Sequence, residues 1–245
     1  MPDTDVEPAA LHTLALPMRS LFTGYILVVG IGLLMAGVQI LLTHGMADGE
    51  FGISIDDIVY SYHGNRSNSK LETKLNGSMQ DKAPAQVKRA MILWAQRGAS
   101  REEWDDGIGA QFQQHCVMCH SVIPALPSFT TYEGVLPSAE VDTGETVDSL
   151  ARVSHIHLFG IAFIFFFVGY IFTHAVGLPP WLKSLLIFTP FAFLLVDVLS
   201  WWLTKWYPSF ALLTIIGGVG YSFASAIMLT TSLYQMWIMP LRAKS

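Results

Sequence analysis

The chain has 245 residues, of which 52% are hydrophobic and 13% charged, about half the charge of a soluble domain. That balance excludes an ordinary soluble protein, and it excludes disorder, which requires low hydrophobicity. A net charge of −5 gives no footing for a nucleic-acid partner, which wants a basic face.

The charges are unevenly placed. Of 19 acidic residues, three lie in the first seven positions, fifteen between positions 48 and 148, and the last is Asp197. Residues 20–47, 153–182 and 206–241 contain no Lys, Arg, Asp or Glu, and 184–204 contains only Asp197. A spanning helix needs about 20 mainly apolar residues. Four transmembrane helices are therefore expected near 21–43, 155–177, 182–203 and 208–236. In chain order this predicts an N-terminal tail (1–20), a first membrane segment (21–45), a polar insert (46–152), helices two to four (153–238) and a final tail (239–245).

The first helix follows an acidic stretch, MPDTDVEP, and its apolar run exceeds the 7–15 residues of a signal-peptide core. It is expected to be an uncleaved anchor. Arg19, Lys183, Arg242 and Lys244 all fall on one side of the four helices, which the positive-inside rule makes the cytoplasm. Both tails are then cytoplasmic. The insert lies outside, in the periplasm if this is the inner membrane of a Gram-negative bacterium. Trp181, Trp201, Trp202, Trp206 and Trp237 suit aromatic belts at the two interfaces.

The insert holds the only cysteines, Cys116 and Cys119, in HCVMCH. Cys-x-x-Cys-His reads as covalent attachment of haem c: both thiols bind the haem and His120 reaches the iron as the proximal ligand. A structural zinc site needs four ligands and there is no second cysteine pair. A thioredoxin-type dithiol would want a βαβ context, which is absent from the pattern.

The flanking residues extend this reading. IGAQFQQHCVMCHS, with Ile108 and Phe112 ahead of the cysteines, resembles the first helix of class I cytochromes c. PALPSFTTYEGV resembles the loop and short helix that follow it in that family. NGSMQDKAPAQVKRAMILWAQRGAS is similar to the family's closing segment, a methionine followed by a helix, but here it precedes the motif, so the order is permuted. Pro84 suits the first turn of that helix, Val87, Met91, Leu93 and Trp94 give it an apolar face, and Gly98 ends it. The resemblance implies Met79 as the distal ligand. His63 is an alternative distal ligand. Met91, His155 or an open position complete the options. An axial methionine would raise the potential relative to two histidines. Residues 63–77 read as a solvated helix and loop.

Small residues in the first helix (Gly30, Gly32, Gly37) and the fourth (Gly217, Gly218, Gly220, Ala224) allow close helix approach. His44, His155, His157 and Asp197 fall near one level at the outer helix ends, with Asp197 about 9 Å inside. Intramembrane ionisable groups are functional candidates. This level could serve as a second metal site for copper, as a haem b site or as a quinol site, or simply hydrogen-bond the helix ends. Residues 155 and 157 point about 200° apart on a helix, so one of them faces the bundle. On the cytoplasmic half His174 has no histidine partner on the third or fourth helix, which argues against a transmembrane two-haem path.

The fold class expected is an all-α membrane protein: four transmembrane helices with a mainly helical cytochrome c-like domain inserted between helices 1 and 2. The function expected is a membrane-anchored monohaem cytochrome c that carries electrons between redox protein partners at the outer membrane face, as a subunit of a larger respiratory or oxidoreductase complex. The alternatives are a quinol- or metal-dependent membrane oxidoreductase built on the His/Asp level, and a structural docking subunit.

Overall fold

A computed structural model describes residues 9–45, 47, 51–124 and 126–242. Among them the regular elements are helices joined by turns and loops, with no strand. In chain order it runs α1 (Leu16–His44), α2 (Ile55–Tyr62), α3 (Lys70–Asn76), α4 (Ala85–Gln96), α5 (Arg101–Glu103), a π-helical turn at Trp104–Ile108, α6 (Gly109–His115), α7 (Val117–His120) and α8 (Tyr132–Ala139). Then follow α9 (Val147–Thr173), α10 (Pro180–Trp206), α11 (Ala211–Leu233), a second π-helical turn at Tyr234–Ile238 and α12 (Met239–Arg242). The spans Leu16–His44, Val147–Thr173, Pro180–Trp206 and Pro208–Arg242 are long and apolar enough to cross a membrane. The chain is an all-α membrane protein with four transmembrane helices.

The helix ends move from where hydropathy puts them. α9 begins at Val147 rather than near 155, with Asp148 in its first turn, where a carboxylate suits the helix dipole. It stops at Thr173 because Gly177 takes φ +78° and Pro179 and Pro180 follow. Residues 147–152, expected to belong to the insert, are therefore helical.

The chain forms two compact units. One holds α1 up to Gln39, α9, α10 up to Trp202 and the chain from Leu212 onward; the other holds Ile40–Thr146 together with Leu203–Ala211.

In the first unit, Phe22 and Ile26 of α1 join Val168 and Phe172 of α9 and Met228 of α11 in one apolar core. The small-residue expectation holds for only one of the two helices. A Cβ on Gly217 would lie 2.7 Å from that of Asp197, and one on Gly220 would strike the Phe193 ring, whereas Gly30, Gly32 and Gly37 of α1 face open space. α11 thus packs tightly on α10, and α1 turns most of its apolar surface outward. Arg19 does more than carry a charge: it donates to the backbone oxygens of Leu14 (2.8 Å) and Met236 (3.1 Å).

In the second unit, the core gathers Leu71 and Leu75 of α3, Met91, Trp94 and Ala95 of α4, Trp104 of the π-helical turn, Phe112 of α6, Phe129 of the following loop, and Val135 of α8. Residues 63–77 are thus more than a solvated segment, since α3 buries one face. α4 buries Met91, Trp94 and Ala95 but leaves Leu93 39% exposed. It closes at Gly98, whose φ of +93° is a left-handed stop that favours glycine.

The entry and exit of the insert are pinned together. Arg66 N–H donates to Asp142 O (3.0 Å) and Asp142 N–H to Asn68 O (2.8 Å). Lys205 is buried and its ammonium donates to Thr143 O (3.2 Å) and Glu145 O (2.6 Å). Gly64 (φ +83°) and Gly144 (φ +71°) meet in this crossing. A Cβ on Gly144 would collide with the Tyr62 carbonyl and the Gly64 nitrogen, which are backbone atoms that cannot swing away. Gly144→Ala is expected to destabilise the protein by more than about 1 kcal/mol, seen as a lowered thermal midpoint of the full chain in detergent.

Candidate functional site

The cysteine motif is one continuous helical path. Cys116 sits between α6 and α7 with helical backbone angles, φ −117° and ψ −39°. Its N–H donates to Phe112 O (2.9 Å), and His120 N–H donates back to Cys116 O (3.0 Å). Residues four apart share a helix face, so Cys116 and His120 present their side chains together, with Cys119 one position away. Both thiols are free. Cys116 is half-buried against the core of the insert, and burial pushes its thiol pKa up. Cys119 is exposed.

His120 is held by two contacts. Its Nδ1 lies 2.8 Å from the Pro127 carbonyl oxygen, and its ring stacks on Phe129 with centroids 4.0 Å apart and planes 4° from parallel. A carbonyl only accepts, so Nδ1 carries the proton and Nε2 keeps its lone pair. That is the tautomer a metal-ligating imidazole needs. Met118, Val122 and Ile123 expose apolar surface around the motif. Two free thiols, an imidazole with an available Nε2 and an apolar collar form a donor set that fits covalently attached haem.

The distal candidates separate by their surroundings. Met79 is partly buried and packs against the same core as Cys116 and Val117. Met91 is fully buried within that core and serves packing. His63 does not join it; its Nδ1 donates to Lys205 O at 2.9 Å. His155 belongs to the membrane unit.

His44, His155, His157 and Asp197 have distinct local surroundings. His44 Nδ1 lies 2.7 Å from Ser61 Oγ, which itself donates to Asp57 O, so the imidazole is the donor. Asp197 is buried, accepts a hydrogen bond from Trp201 Nε1 at 2.9 Å, and is hydrogen-bonded by the Tyr221 hydroxyl. The His157 ring meets the Trp201 ring edge-on at 5.0 Å, and its Nδ1 bonds to Val153 O. His157, Trp201, Asp197 and Tyr221 are thus connected, whereas His155 is exposed beside Phe159. The two histidines do point apart. Among the described residues no three His, Cys, Asp or Glu side chains converge as a metal ion would require. His174 bonds to Ala9 O at 2.8 Å.

Sequence reasoning missed Pro127 and Phe129 as the residues that orient His120, and Tyr221 and Trp201 as the partners of Asp197. The signal for the first pair was present in LPSF, a proline and an aromatic shortly after the motif. Nothing in the sequence pairs Tyr221 with Asp197, because they lie on different helices.

Compared with known proteins, residues 132–243 match the model of the family Aq_1264_TM, described as a transmembrane helical domain. No curated protein and no solved structure matches. The matched stretch runs from α8 through the last three membrane helices and leaves Cys116, Cys119 and His120 outside it.

Proposed function

We propose that this chain is a membrane-anchored monohaem cytochrome c, with haem bound covalently through Cys116 and Cys119 and ligated by His120. In this reading the inserted unit lies on the periplasmic side of a bacterial inner membrane. It takes electrons from one redox protein and passes them to another within a larger respiratory or oxidoreductase complex. The observation that carries the reading is the single helical turn bearing both thiols together with a histidine whose Nδ1 is committed to Pro127. The haem supplies one-electron chemistry at its iron. The protein's own part is to fix the imidazole: the Pro127 carbonyl holds its tautomer and Phe129 holds its plane, so Nε2 keeps one direction.

Met79 is the distal ligand in this proposal, because it borders the core that Cys116 borders. Met79→Ala should remove the weak far-red band of methionine-ligated ferric haem and lower the midpoint potential, in the direction expected when an axial methionine is lost. Haem content should stay the same. An unchanged spectrum in the variant would assign the ligand to His63 instead.

A further inference from the structure

We propose that the apolar segment 51–55, which leads into α2, lies embedded in the phospholipid surface of the membrane and anchors the inserted unit to it. α1 ends at His44 and α10 at Trp206. α9 runs back between them, so α1 and α10 leave the bilayer on the same side. α2 is bonded to both of these ends. Near its start, Asp57 Oδ1 accepts from Ala47 N–H (2.8 Å), and just before it Gly52 N–H donates to Gly45 O (3.0 Å), one residue beyond α1. Near its other end, His44 Nδ1 donates to Ser61 Oγ (2.7 Å) and His63 Nδ1 to Lys205 O (2.9 Å). α2 has 8 residues and is therefore about 12 Å long. Tied to two helix ends within that length, it lies along the membrane surface, and 51–55 is held at the same level. Gly45 permits the close approach, since a Cβ there would lie 2.5 Å from Gly52 O.

What the segment presents at that level is apolar. Phe51 is 73% exposed, and Ile53 and Ile55 are exposed with it. Clustered exposed apolar side chains mark a contact surface. Beside the ends of two spanning helices the adjoining medium is the boundary between headgroups and acyl chains, where side chains of this kind insert. Trp206 and Tyr207, exposed at the end of α10, are residue types that collect at the same boundary. The contact is apolar, not electrostatic. No Lys or Arg occurs between positions 20 and 65, and the exposed Asp56 follows directly, so the segment has no positive charge to draw anionic headgroups. The inference holds whether or not haem is attached at Cys116 and Cys119.

The test places the photoreactive residue p-benzoylphenylalanine at Phe51 or at Ile53 in the full chain, in phosphatidylcholine nanodiscs. After irradiation, the intact mass reads the fraction of chains carrying a phospholipid. The same replacement at Leu93, exposed on α4, is the control. All three positions are exposed, so the fold is kept. Lipid adducts at 51 and 53 should exceed those at 93 by at least about tenfold if the side chains sit at the acyl boundary. The yield should not change when phosphatidylglycerol replaces part of the phosphatidylcholine. The proposal is overturned by adducts no more frequent than at Leu93, or by a yield that rises with the anionic lipid. It is also overturned if position 51, irradiated in native membranes, links to another protein and not to lipid.

Discussion

Replacing both Cys116 and Cys119 with serine is expected to give a chain that carries no covalent haem, so that a denaturing gel stained for haem shows no band at its mass. The two thiols are the chain's only cysteines, so nothing else can form the thioether links. The fold should survive. Cys119 is exposed, and Cys116 only borders the core, so the serine variant loses little packing. A single replacement should leave one link and weaker staining. Normal staining of the double variant would remove the cytochrome reading altogether.

The second large effect is expected at Trp94. It is fully buried and its ring lies 5.7 Å from Trp104, 5.9 Å from Phe112 and 6.4 Å from Tyr132, while its Nε1 donates to Ser100 O at 3.0 Å. Truncation to alanine removes a large aromatic from the centre of the insert and leaves a cavity that its ring neighbours cannot fill. The cost should be about 3–5 kcal/mol. Trp94→Phe keeps most of the aromatic packing and should cost less, since Ser100 O loses the indole N–H but still accepts from Trp104 N–H at 3.2 Å. The measurement is thermal unfolding of the full chain in detergent, followed by near-UV circular dichroism. Phe112 stands four residues before Cys116, so Trp94→Ala should also reduce haem incorporation, whereas Trp94→Phe should restore it.

What was legible in the sequence follows from how local each signal is. The charge-free stretches marked four membrane helices because burying an ionised side chain in hydrocarbon is costly, so the absence of charge is itself the pattern. The exact ends were not legible. Val147 and Thr173 depend on a first-turn aspartate and on a left-handed Gly177, which hydropathy does not register. CxxCH was legible because its three donors are contiguous. Pro127 and Phe129 were not, because the loop must fold back before they touch His120. α3 was under-read, since only Leu71 and Leu75 mark its buried face among charged neighbours. α4 buries Trp94 and ends at Gly98 as its pattern predicts, but Leu93, expected inward, lies outward. The contacts of Asp197 with Trp201, of Trp201 with His157, and of Lys205 with the 143–145 backbone depend on tertiary packing that no short pattern encodes.

The most direct measurement is the intact mass of the denatured chain, produced in a bacterium with its cytochrome c maturation system, together with a pyridine haemochrome spectrum of the same sample. The expected result is a chain heavier than its polypeptide by the mass of one haem, with a c-type spectrum that acidified acetone does not extract. A polypeptide of unmodified mass, or haem that the solvent removes, would contradict the account.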